Sequence, residues 1–156
     1  MKRALLSLAV LLLAPAAASA QSGGAVQQIS ATAIRDAVAA AATATTGLAT
    51  SALGDRGAYS LLAVRRDRSG EVELHANLDD VFVAQEGVAT VRSGGSVAGD
   101  RETAPGERRG GVLTGFQTHT LAQGDVLVIP AGIPHQVVVD QGRSFTYLVV
   151  KVARPH

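Results

Sequence analysis

GDVLVIPAGIPH, residues 124–135, sets a short apolar run against a stiff corner. Val126, Leu127, Val128 and Ile129 are consecutive apolar residues. That pattern predicts a strand buried on both faces, in a sheet that is sandwiched or rolled into a barrel. Pro130 has no N–H to give a ladder, so pairing must end there. Gly132 permits a tight turn, and Pro134 stiffens the segment behind it. His135 then leaves the corner in a fixed direction. An imidazole held rigidly at a barrel mouth is what a metal site requires.

Upstream, the stretch Glu71-Val72-Glu73-Leu74-His75-Ala76-Asn77 alternates polar and apolar residues without a break. A strand repeats every two residues, so Glu71, Glu73, His75 and Asn77 are expected on one face. Val72, Leu74 and Ala76 fall on the other. Asp79 and Asp80 follow, and VFVAQE leads on to Gly87.

These two stretches resemble the paired signature motifs of the cupin superfamily. Gly124, Pro130, Gly132 and His135 match the second motif, G-x5-P-x-G-x2-H-x3-N, without a gap. Val139 stands where that motif ends in Asn. The first motif, H-x-H-x(3,4)-E-x6-G, supplies three metal ligands in the family. Asp80, six residues and Gly87 fit its second half, His75 takes its second histidine, and Glu73 takes its first. The resemblance thus implies a metal site of Glu73, His75, Asp80 and His135. A rival register makes His75 the first histidine and Asn77 the second, with a shortened link to Asp79 or Asp80. The resemblance covers Tyr59–Val152. It implies an all-β fold, a double-stranded β-helix or jelly-roll barrel, to which the residues before it are expected to add a short N-terminal helix. Two imidazoles with carboxylates and no thiolate suit Mn, Fe, Zn or Ni as the divalent ion.

Three other side chains are candidates for groups around the site. His119 shares a strand face with Gln117 and Leu121, so it could point inward. Asp79 adjoins the proposed ligands, and Tyr147 could offer a phenol near them.

Outside this region the chain is simpler. Met1–Ala20 has a basic start at Lys2 and Arg3, an apolar stretch, and Ala18-Ser19-Ala20 before Gln21. That is the pattern of a secretory signal peptide cleaved after Ala20, too short for a stable anchor. It predicts a periplasmic or secreted protein with no membrane anchor after cleavage. There is no cysteine, hence no disulfide. The whole chain carries 14 basic and 13 acidic residues. Removing Lys2 and Arg3 leaves 12 against 13, or −1. Such a balance argues against nucleic acid as a partner.

Residues 21–58 are expected to form a leader and a helix, capped by Ser30 and covering about Ala31–Ala42 with Ile34 and Val38 as its apolar stripe. Thr43–Gly54 reads equally well as helix or strand. Residues 59–153 are expected to form the barrel, with strands near Tyr59–Arg66, Glu71–Asn77, Val81–Gln85, Val88–Val91, Gly115–Leu121, Val126–Ile129, Gln136–Val139 and Phe145–Val152. Gly99–Gly111 is the one long polar loop in this reading.

The functional expectation is a metal-binding barrel that acts on a small polar molecule. Two tyrosines, three phenylalanines and no tryptophan leave few platforms for sugar stacking. Two alternatives stand beside it: a non-catalytic module that binds or senses a small ligand, and a metal-free barrel whose His and carboxylate groups bond each other. Val72, Leu74 and Ala76 would form an outward apolar row, which predicts a homodimer that covers it.

Overall fold

A computed structural model describes residues 25–40 and 45–154. The signal-peptide segment Met1–Ala20 lies outside the described residues. Helix α1 spans Ala31–Ala40. The Ser30 hydroxyl accepts a hydrogen bond from Ala33 N–H at 3.1 Å, satisfying one of the orphan donors of the first turn. Ile34 and Val38 are buried and pack with Ala63. Among the described residues no helix is long and apolar enough to cross a membrane.

Among the described residues twelve strands follow: β1 (Leu48–Asp55), β2 (Tyr59–Arg66), β3 (Glu73–His75), β4 (Leu78–Ser93), β5 (Ser96–Ala98), β6 (Arg101–Ala104), β7 (Glu107–Arg109), β8 (Val112–Thr114), β9 (Gln117–Ala122), β10 (Val126–Ile129), β11 (His135–Val138) and β12 (Phe145–Ala153). All their pairings are antiparallel. The main path is β1-β2-β12-β4-β11-β3-β7-β6, with β9 and β10 also on β4, and β5 pairs with β8. Of the segment that sequence left undecided, Leu48–Gly54 belongs to strand β1, paired along β2, and residues 43 and 44 lie outside the described residues.

Strand β4 organises the fold. Its first half pairs with β10 and β12, its second with β9 and β11. The two strands expected at Val81–Gln85 and Val88–Val91 are halves of this one bent element. Between them the register against β12 slips by one, from Tyr147 opposite Ala84 to Thr146 opposite Glu86. The extra residue is a β-bulge. It flips the inward phase: Asp80, Phe82 and Ala84 are buried before it, Ala89 and Val91 after it. Gly87 has φ +80°, and a Cβ there would lie 2.1 Å from the Ser144 carbonyl oxygen. Only glycine fits that close approach. The two halves of the sheet then curl over one core that includes Phe82, Val91, Leu121, Ile129, Phe145 and Tyr147. The Phe145 and Tyr147 rings stack at 4.9 Å.

Several expectations need correction. β10 is not buried on both faces: Val126 and Val128 are each 59% exposed, and only Ile129 on that strand is fully buried. A continuous apolar run does not report which face meets a neighbour. The Glu71–Asn77 strand shrinks to Glu73, Leu74 and His75, which pair with β7 and, through Glu73, with β11. Glu71 and Asn77 are exposed. Val72 is buried at 3% exposure, so Val72, Leu74 and Ala76 are not an outward apolar row. Gly99–Gly111 is not one loop, since β6 and β7 lie within it and pair with each other. Charged strands carry no apolar alternation to announce them.

Candidate metal centre

The side chains of the centre are cross-strand neighbours, which are the side chains a sheet brings closest. His135 on β11 stands opposite Glu73 on β3. Across β3 and β7, Glu73 faces Arg109 and His75 faces Glu107. Across β4 and β12, Asp80 faces Lys151. The Gly132 corner is tied down by its N–H, which donates to the His75 carbonyl at 2.8 Å. That bond fixes the approach of β11 to β3.

Glu73, His75, Asp80 and His135 converge. Asp80 Oδ2 lies 3.3 Å from His75 Nε2 and 3.6 Å from His135 Nε2. Glu73 Oε2 is 3.7 Å from His75 Nε2. One ligand atom from each of Glu73, His75 and His135 fits within 4.8 Å of the others. Asp80, His75 and His135 are buried.

The imidazoles are oriented from behind. His75 Nδ1 is 2.6 Å from Glu107 Oε2, and His135 Nδ1 is 3.2 Å from the Ile133 carbonyl oxygen. Both acceptors call for Nδ1–H, which leaves the Nε2 lone pairs aimed at Asp80. A carboxylate or carbonyl behind a histidine is the usual outer partner of a metal ligand. His135 Nε2 is buried without a hydrogen-bond partner. Donors bonded at about 2.1 Å to a common ion sit roughly 3.0–3.4 Å apart. The three spacings of 3.3, 3.6 and 3.7 Å approach that range, and Glu73, His75 and His135 form a group that could hold a divalent ion, with Asp80 against both imidazoles.

Sequence reasoning missed four side chains. Lys151 Nζ donates to Asp80 Oδ1 at 2.8 Å and lies 3.0 Å from His75 Nε2. Arg66 donates to Glu73 at 2.7 Å, and Arg109 at 2.5 Å to its other oxygen. Glu107 is the fourth, behind His75. Strand period offered a signal for Lys151, since Tyr147, Val149 and Lys151 share a face of β12.

The second group of candidates divides. Tyr147 is close to the centre: its hydroxyl accepts from Arg66 Nε at 3.0 Å. Burial pushes the Tyr147 phenol up to about 12, against the opposing charge of Arg66. Asp79, on the opposite face of β4 from Asp80, turns away to pair with Arg154 at 2.7 Å and to accept from Ala131 N–H. His119 meets Ser93 at 3.0 Å on the β9 side of β4. Asn77 is exposed beyond the end of β3. Burial alone would raise the Asp80 carboxyl, but the adjoining His135 and His75 rings and the bonded charge of Lys151 hold it far below the usual range.

Beside the centre lies a cavity of about 530 Å³. Leu48, Leu62, Val64, Phe82 and Val149 give it apolar walls. Arg66, Arg109, Lys151, Glu73 and Asp80 gather in its charged lining.

No family model matches the chain, and no curated protein matches it. Solved structures do. An uncharacterised double-stranded β-helix protein from Klebsiella pneumoniae is similar at TM-score 0.59 and 12% identity, covering 83% of this chain and 91% of its own. The cupin domain of Cnp3 from Schizosaccharomyces pombe is similar at TM-score 0.51 and 10% identity, covering 68% and 61%. An oxalate oxidase is similar at TM-score 0.53 and 14% identity, covering 71% and 53%.

Proposed function

The chain has the double-stranded β-helix fold of the cupins, and on that fold we propose that it is an exported metal-binding protein acting on a small molecule in the cavity. One observation carries the reading. Two buried imidazoles, each oriented through Nδ1, turn Nε2 toward one buried carboxylate, and one of those nitrogens has no partner. His75, His135 and Asp80 would hold the ion, with Glu73 the fourth ligand. A bound divalent ion supplies a Lewis acid that polarises a carbonyl or carboxylate oxygen. This chain's residues supply the rest. Glu107 keeps the His75 tautomer, Arg66 and Arg109 orient Glu73, and the apolar walls limit water.

Export rests on Met1–Ala20. A homodimer is part of the same proposal, through the face that exposes Val126 and Val128. A second reading has its own support. Lys151 already supplies a positive charge to Asp80 and His75, as a metal-free barrel would need.

The ligand register has a direct test. Glu73→Gln is expected to weaken binding of Mn²⁺ or Zn²⁺ by about 10–100-fold, the range of losses around metal sites. Asn77→Ala should change it less than about 3-fold, since its side chain is exposed and away from the centre. Competition titrations against a chelating dye measure both. The opposite ranking would move the ligand position to Asn77.

A further inference from the structure

Charge is the starting point. Three cations, Arg66, Arg109 and Lys151, interlock with three carboxylates, Glu73, Asp80 and Glu107. The formal charges of these six side chains cancel. A divalent ion upsets that balance by two positive charges in a largely buried place. Uncompensated charge is costly there.

The ion also changes what the cations can do. Lys151 Nζ lies 3.0 Å from His75 Nε2, the atom an ion would take. The ammonium must give up that contact, and its side chain already lines the cavity. Glu73 holds Arg66 through Oε1 and Arg109 through Oε2, and Oε2 is the oxygen 3.7 Å from His75 Nε2. Donating Oε2 to an ion weakens the hold on Arg109. Arg109 and Lys151 both line a cavity that Leu48, Leu62 and Val149 also line.

We infer that the loaded cavity binds a small monocarboxylate with a short apolar body, its carboxylate held by Arg109 and Lys151 and its hydrocarbon against Leu48, Leu62 and Val149. This inference rests on the metal reading above. Arg109 matches a carboxylate with its planar fork, and the apolar walls favour a hydrocarbon over a fully hydrated ion. A phosphate would satisfy the charge and leave the walls without a contact.

Calorimetry on the full mature chain tests this, with butyrate, uncharged butyramide and inorganic phosphate as probes. The protein is first loaded with Zn²⁺ and its metal content measured. Butyrate is expected to bind at least 10-fold more tightly than butyramide or phosphate. It should bind at least 10-fold more tightly to loaded than to metal-free protein. Arg109→Gln, held at a zinc concentration that saturates it, should weaken butyrate by about 10-fold. Arg109 keeps 27% of its side chain exposed, so this variant is the safer probe for folding; Lys151→Gln gives a second and should also weaken butyrate. Zinc-loaded protein that binds butyrate no better than butyramide overturns the inference and leaves the metal reading intact. Protein that takes up no zinc overturns both.

Discussion

His135→Ala is expected to lower divalent-ion affinity by more than about 100-fold, beyond the 10–100-fold loss typical of outer partners. His135 Nε2 is the buried nitrogen without a partner, 3.6 Å from the carboxylate it would share an ion with. Removing it leaves no other imidazole on β11 to replace it. The side chain is also part of the packing. It is 1% exposed, and its ring meets Phe82 edge-on at 5.9 Å. A ligand at an open barrel mouth would be deleted at little cost in stability, whereas here alanine leaves a cavity. The loss is about 2–3 kcal/mol by analogy with other large-to-small changes in cores. His135→Gln therefore belongs beside it, because it keeps most of the volume. Both variants should lose metal, and only alanine should lose much stability. Thermal unfolding with and without zinc reads the two effects separately. A folded His135→Gln protein that retains wild-type zinc affinity would remove His135 from the centre.

Lys151→Met should act in opposite directions on the metal-free and the loaded protein. In the metal-free protein Lys151 is the cation bonded to buried Asp80. Removing one partner of a buried pair costs about 3–5 kcal/mol. Lys151 keeps some solvent contact, so about 3 kcal/mol is expected. In the loaded protein the ammonium no longer competes for His75 Nε2, and zinc should bind at least 10-fold more tightly. Metal binding then restores the lost stability by mass action. The variant should unfold early without zinc and gain more from zinc than wild type does. If Lys151→Met instead binds zinc more weakly, Lys151 supports the ion rather than standing in for it. If neither protein responds to zinc, the metal-free reading, with Lys151 as the permanent counter-charge, is the correct one.

The parts of this fold that were legible from sequence depended on local chemistry. Ser30 announced the start of α1 through its capping oxygen. Strand β2 lies where its turn signals placed it, at Tyr59–Arg66. The Pro130–Pro134 corner carried His135 because prolines and Gly132 restrict backbone angles whatever surrounds them. Alternation placed Glu73 and His75 on one face of β3, and the structure brings both to Asp80 and His135. What stayed hidden depends on register between distant segments. Lys151 meets Asp80 across 71 residues and Arg109 meets Glu73 across 36. No periodicity within a segment specifies such a pairing. Val126 and Val128 show the converse failure, because apolar composition suggested burial while β10 has an open outer face. The β6–β7 hairpin was read as loop because its strands are polar and partly exposed, with no core face to reveal a period.

The central claim is that one divalent ion sits between the two histidines. Crystals of the tag-free mature chain grown with Zn²⁺, measured on both sides of the zinc absorption edge, test it most directly. A single strong anomalous peak within bonding distance of His75 Nε2 and His135 Nε2, with Lys151 Nζ moved away from His75, is the predicted result. An undisplaced Lys151 with no peak between the two imidazoles, in crystals that hold zinc elsewhere, would contradict it.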